Sequence, residues 1–150
     1  MKRILLTIGD VVVSAEPAIL ETTLGSCVSI CLWDEKTGSG GMNHFMFPEM
    51  TAPSKDPGWY GTESTRLLIS CFFKAGITGG SLKAMVFGGG IVIKEFHQRF
   101  DVGKENARIA KEILRSHGIP VVNEFTGMDC GIKVVFYSAT GRAFIKRIEE

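Results

Sequence analysis

The sequence predicts a mixed α/β fold in which strands outnumber helices. Three observations carry that expectation. Short stretches of alternating apolar and polar residues recur along the chain, separated by Gly-rich or Asp-rich turns. Two stretches, 62–76 and 101–117, instead place apolar residues at helical spacing and close on a glycine. There is no repeat and no low-complexity tract to suggest another organisation. At 150 residues, 45% hydrophobic and 22% charged, the chain fits one domain over 1–150 with a sizeable core and lies far from the composition of disorder.

Strands are expected at 4–7 and 11–13, on either side of Gly9-Asp10, and at 19–24. In the last of these Ile19, Glu21 and Thr23 share one face, and Leu20, Thr22 and Leu24 share the other. After Gly25-Ser26 a strand at 27–33 leads through Asp34-Glu35-Lys36-Thr37-Gly38 into a returning strand at 41–47, a β-hairpin. Residues 50–61, with two prolines and two glycines, read as a surface loop. Thr62 is the expected N-cap of a first helix whose inward residues are Leu67, Leu68, Cys71, Phe72 and Ala75. A buried strand at 82–87 ends in Gly88-Gly89-Gly90, where missing Cβ atoms permit close backbone approach. The second helix should face Ala107, Ile109, Ala110, Ile113 and Leu114 inward, and strands at 121–125, 132–137 and 142–148 complete the set.

Seventeen basic and sixteen acidic residues leave a net charge of +1, so no whole-molecule field draws the chain to nucleic acid or an anionic membrane. No apolar run approaches the roughly 20 residues that span a bilayer, and Gly9-Asp10 cuts short the apolar run after Lys2-Arg3 that would otherwise resemble a signal peptide. Four scattered cysteines do not make a disulfide framework, which favours a reducing, cytoplasmic setting. Cys27 and Cys31 are separated by three residues with no second ligand pair, so neither a metal nor a cofactor is expected. The Gly88-Gly89-Gly90 run lacks the sequence context of a phosphate or dinucleotide loop.

Cysteine is the strong nucleophile available, but a free thiol with a pKa near 8.5 is only about 3% thiolate at neutral pH and needs activation. The predicted hairpin supplies a candidate. It carries His44 back towards the start of its first strand, near Cys27, so two ordinary strands would assemble a site. His97 lies in an irregular stretch and His117 in the last turn of a helix, where His commonly meets terminal carbonyls.

The segment Thr23-Leu24-Gly25-Ser26-Cys27-Val28-Ser29-Ile30-Cys31-Leu32, followed by Gly40-Gly41-Met42-Asn43-His44-Phe45-Met46-Phe47-Pro48, resembles the paired signature of the chemoreceptor glutamine deamidase family, CheD. Further matches run through Phe87-Gly88-Gly89-Gly90, Asp101-Val102-Gly103-Lys104-Glu105-Asn106 and Gly118-Ile119-Pro120-Val121. The resemblance implies an α-β-β-α layered sandwich with mixed sheets, similar to cysteine deamidase toxins. It also implies hydrolysis of glutamine side chains on the cytoplasmic domains of methyl-accepting chemotaxis receptors. Cys27 matches the family nucleophile and His44 the family base. A CheC-type chemotaxis phosphatase is the partner the family usually has.

The third member of the site departs from the family pattern. Where the family has a threonine six residues before the nucleophile, this chain has Glu21, followed by Thr22 and Thr23. An acidic Glu21 would orient the imidazole as a triad carboxylate does, and Thr23 shares its strand face. Both stand as candidates, beside the alternative that Glu21 simply faces solvent. The Cys27 backbone N–H and Ser26 are the expected oxyanion donors, with Gly25 allowing a tight approach. The stretch from Gly127 to Lys133 also departs from the family's usual glycine-rich pattern. Two other functions share these residues: a non-catalytic module docking on receptors or a phosphatase, and a protease or transglutaminase-like enzyme that also forms a thioester.

Overall fold

A computed structural model describes residues 1–91 and 101–148. In chain order the elements are β1 (Lys2–Leu5), β2 (Val11–Ser14), β3 (Ala18–Leu24), β4 (Val28–Asp34), β5 (Gly40–Asn43), α1 (Gly61–Lys74), β6 (Leu82–Gly88), α2 (Val102–Ser116), β7 (Val121–Thr126), β8 (Gly131–Tyr137) and β9 (Arg142–Ile148). Two sheets result, one ordered β1-β3-β8-β9 and the other β2-β5-β4-β6-β7. Both are mixed, because β1 pairs with β3 and β6 with β7 in parallel while the other ladders are antiparallel.

The layers follow from the side-chain alternation of β4, which is buried along its whole length. Val28, Ile30 and Leu32 pack with Leu68, Ile69 and Phe72 of α1 and with Ala110, Ile113 and Leu114 of α2. Cys31 and Trp33, on the opposite face, pack with Leu20, Leu24, Val134 and Phe136 of the four-stranded sheet. A strand covered on both faces reads as a continuous apolar run. The molecule is thus a layered α/β sandwich: a helix pair, the five-stranded sheet, then the four-stranded sheet. Both described α-helices lie on the five-stranded sheet. The outer face of the other sheet carries the cross-strand row Leu5, Glu21, Val135 and Phe144, with no helix over it among the described residues. No described helix is long and apolar enough to cross a membrane.

Two elements differ from expectation for local reasons. The returning strand of the hairpin ends at Asn43, not at residue 47. The Asn43 Oδ1 takes the Ile30 N–H at 2.7 Å, and the His44 backbone turns to residues 9 and 10, donating to Asp10 O and accepting from the Gly9 N–H at 2.8 Å. The ladder resumes only at the Val28–Phe45 bridge. In α1 the inward stripe runs through Gly61, Ser64, Thr65, Leu68, Ile69 and Phe72. Leu67 is exposed, and Cys71 is only half-buried. The helix is rotated because Ser64 Oγ accepts from Asn43 Nδ2 at 3.0 Å, which brings a polar position inward. Its N-cap is Tyr60, two residues earlier than the expected Thr62.

Candidate active site

The interrupted hairpin sets where Cys27 and His44 stand. Residues of β4 and the returning segment pair with Cys31 opposite Met42 and Val28 opposite Phe45. That register puts position 44 opposite 29 and position 46 opposite 27. Because alternate residues share a face, His44 and Met42 stand with Cys31 on the side turned to the four-stranded sheet, and Cys27 packs against the same intersheet cluster.

His44 is 5% exposed. Its Nδ1 lies 2.7 Å from Thr22 Oγ1, and that hydroxyl is itself 2.8 Å from the Leu6 carbonyl. A hydroxyl has one proton, and a carbonyl can only accept, so Thr22 donates to Leu6 and accepts from His44. The tautomer follows from this pairing: Nδ1 carries the proton and Nε2 keeps its lone pair. Nε2 is buried and has no hydrogen-bond partner among the described residues. Burial also pushes the imidazole pKa down to about 4, against a smaller opposing pull from the Asp10 carboxylate. The ring is therefore neutral at physiological pH.

Cys27 is half-buried in the turn between β3 and β4. Burial raises its thiol pKa, partly offset by its own backbone N–H. Both groups are therefore neutral at rest, a thiol and an imidazole, and no hydrogen bond joins Cys27 to His44 Nε2 among the described residues. Among the described residues the Cys27 N–H donates to no backbone carbonyl.

The turn rests on the glycine run. Gly89 N–H donates to Cys27 O and Gly90 N–H to Gly25 O, each at 2.9 Å. Gly88 and Gly89 have φ of +102° and +60°, and a Cβ at Gly88 would run into the Cys27 carbonyl. Close backbone packing accounts for these glycines. A cleft of about 630 Å³ lies beside them, lined by Gly89, Lys104, Arg108, Lys111 and Thr126, but neither Cys27 nor His44 borders it.

Other anticipated residues fall elsewhere. Glu21 points to the outer face of the four-stranded sheet and pairs with Arg3 at 2.7 Å. Thr23 is exposed on that same face. Neither contacts the imidazole; Thr22, between them, does. A polar hydroxyl alternating with Leu20 and Leu24 on the apolar face was the signal for it. Gly25 and Ser26 lie in the turn before Cys27, with their carbonyls accepting from Gly90 and from Asn106. His117 Nδ1 meets Ile113 O at 2.9 Å, capping its helix. His97 lies outside the described residues. Cys31 is fully buried and its thiol pKa is raised well above the ordinary value. Among the described residues no group of three or more potential ligands is placed to hold a metal ion.

A family model described as CheD chemotactic sensory transduction matches residues 46–147. The chain belongs to the CheD family. A protein of Rhizobium leguminosarum bv. trifolii named probable chemoreceptor glutamine deamidase CheD is 42% identical over 146 residues, covering 95% of this chain and 78% of its own. Similarly named proteins of Caulobacter sp. and Thiobacillus denitrificans are 42% and 38% identical, covering 93% and 95% of this chain and 74% and 72% of their own. Cys27 and His44 precede the segment matched by the CheD family model.

Proposed function

We propose that this CheD protein hydrolyses glutamine side chains on chemotaxis receptors to glutamate, with Cys27 as nucleophile and His44 as base. The observation that carries the reading is the buried imidazole, locked by Thr22 into the tautomer that leaves Nε2 free. The relatives are named for the same activity.

The chemistry starts from the neutral pair. Nε2 takes the thiol proton as Sγ attacks the carboxamide carbon, so the costly ion pair forms only as the C–S bond does. Charge on the tetrahedral oxygen is met by the Cys27 N–H, with Ser26 as second donor; losing one such donor in other enzymes costs about 3 to 4 kcal/mol. The imidazolium then protonates the departing nitrogen, ammonia leaves, and a thioester remains. His44 next deprotonates a water that attacks the thioester carbonyl, and the returned proton restores the thiol. Thr22 holds the ring in place throughout and spreads the imidazolium's charge towards the Leu6 carbonyl. The same thioester would serve a transglutaminase; adding a primary amine and seeking cross-linked product separates the two.

The partners on this reading are the cytoplasmic domains of methyl-accepting receptors and a CheC-type phosphatase, and the cytoplasm is the working compartment. Four free cysteines are in keeping with a reducing environment. Incubation with receptor cytoplasmic fragments, followed by mass mapping of amide-to-acid conversion, tests the function. Conversion should vanish in Cys27→Ala and His44→Ala. Unchanged conversion in Cys27→Ala would exclude the nucleophile and favour a non-catalytic docking role.

A further inference from the structure

Asn106 belongs to the inward stripe of α2, among Ala107, Ala110 and Leu114, and has no exposed surface. Its Nδ2 donates to two carbonyls, Ser26 O at 3.0 Å and Met46 O at 2.9 Å. Ser26 is the residue before Cys27, and Met46 lies two residues after His44. One amide group from a distant helix therefore ties the nucleophile turn to the segment carrying the base. The orientation of the amide is settled by its partners, since turned over it would set Oδ1 against two carbonyl oxygens.

The arrangement has a cost. Asn106 Oδ1 is buried and makes no hydrogen bond among the described residues. An unsatisfied buried acceptor is unfavourable by about 1 to 3 kcal/mol, and a small apolar residue would fill the stripe without it. The same helix face approaches closely for a second reason. Gly103, three residues earlier, lies against Gly89 O and Gly90 O, where a Cβ would collide. Those two glycines hold Cys27 O and Gly25 O through their own N–H groups. Thus the start of α2 grips the nucleophile turn twice, once through the glycine run and once directly.

We propose that Asn106 is a positioning residue that fixes the separation and orientation of Cys27 and His44; this rests on the reading of those two residues as nucleophile and base. It touches neither substrate nor the reacting atoms. Its hydrogen bonds hold the backbone on both sides of the pair, so their loss loosens the approach of Sγ to Nε2 and leaves substrate binding intact.

The test uses full-length Asn106→Ala and Asn106→Asp, the second keeping the shape of the side chain while removing the paired donors. Thermal unfolding first verifies that each is folded. On receptor cytoplasmic fragments kcat should fall about 10- to 100-fold, the scale expected for small misplacements of reacting groups, with KM within about threefold. Iodoacetamide alkylation of Cys27 supplies a double-mutant cycle: Asn106→Ala should slow it in the His44-containing protein and leave it unchanged in a His44→Ala background. A folded Asn106 variant with wild-type kcat, a change in KM alone, or an equal alkylation effect in both backgrounds overturns the proposal. So does failure of both variants to fold, which would make Asn106 a requirement of the fold. If Cys27→Ala still deamidates, the nucleophile assignment falls and takes this proposal with it. If Cys27→Ala is inactive while the Asn106 variants are not, only the positioning role is lost.

Discussion

Thr22 accepts the His44 Nδ1 proton at 2.7 Å while giving its own to the Leu6 carbonyl at 2.8 Å. Replacing it by Val keeps the shape but strands a buried N–H and a buried carbonyl. Thr22→Val should therefore lower stability by about 1 to 3 kcal/mol and deamidation by about tenfold or more through loss of the fixed tautomer. Thr22→Ser, which keeps the hydroxyl, should retain most activity. Glu21→Ala removes only a surface ion pair worth about 0 to 1 kcal/mol and should leave the rate near wild type. Kinetics on receptor fragments, with urea unfolding of each variant, check the series. A severe loss in Glu21→Ala with normal Thr22→Val would return the role to the carboxylate.

A neutral resting pair makes a distinct prediction for thiol reactivity. Burial raises the Cys27 thiol, and His44 is not protonated near neutral pH. The alkylation rate of Cys27 by iodoacetamide should thus rise with a midpoint above the roughly 8.5 of a free cysteine. A midpoint below 7 would show that a thiolate–imidazolium pair exists before substrate arrives.

Periodicity made most of this architecture legible. The strand at 19–24 alternated cleanly, and the α2 stripe of Ala107, Ile109, Ala110, Ile113 and Leu114 is inward as spaced. The hairpin bringing His44 towards Cys27 was readable from the turn residues after Trp33. What remained hidden depends on which of two faces a layer uses and on polar groups inside apolar stripes. Glu21 and Thr23 share a face, but nothing in a single strand tells whether that face meets a second sheet or stands outside. Only the packing of β3 against β4 across the intersheet core turns Thr22 inward. Likewise Ser64 and Asn106 break the apolar pattern of their helices, because each answers a partner distant in sequence. Hydrophobic spacing has no term for such bonds.

The buried imidazole also couples stability to pH. Above about pH 6.5 His44 is neutral in both folded and unfolded chains, so its burial is not penalised. Between 6.5 and about 4 the unfolded chain takes up a proton that the folded one refuses. Stability should therefore fall as the pH drops through this window, by up to about 3 kcal/mol from this residue. Urea unfolding at several pH values, compared with His44→Asn, isolates the effect. The wild-type curve should steepen towards acid relative to the variant; parallel curves would mean the ring is freely protonated in the folded state.

The glycine run gives the last expectation. At Gly88 the backbone has a φ of +102°, a region that side chains rarely adopt, and an added Cβ meets the Cys27 carbonyl. Gly88→Ala must either strain φ, at about 1 to 3 kcal/mol, or push the nucleophile turn away from β6. Gly118→Ala is the natural comparison. Its φ of +69° carries similar backbone strain, but a Cβ there meets nothing within 4 Å and the position is the helix end of α2, far in sequence from Cys27. Both variants should lose stability in urea unfolding. Only Gly88→Ala should also lose deamidation beyond what its folded fraction explains, by about tenfold or more as the turn shifts. Equal activity in the two, once corrected for folded protein, would show that the contact between Gly88 and the nucleophile turn serves folding alone.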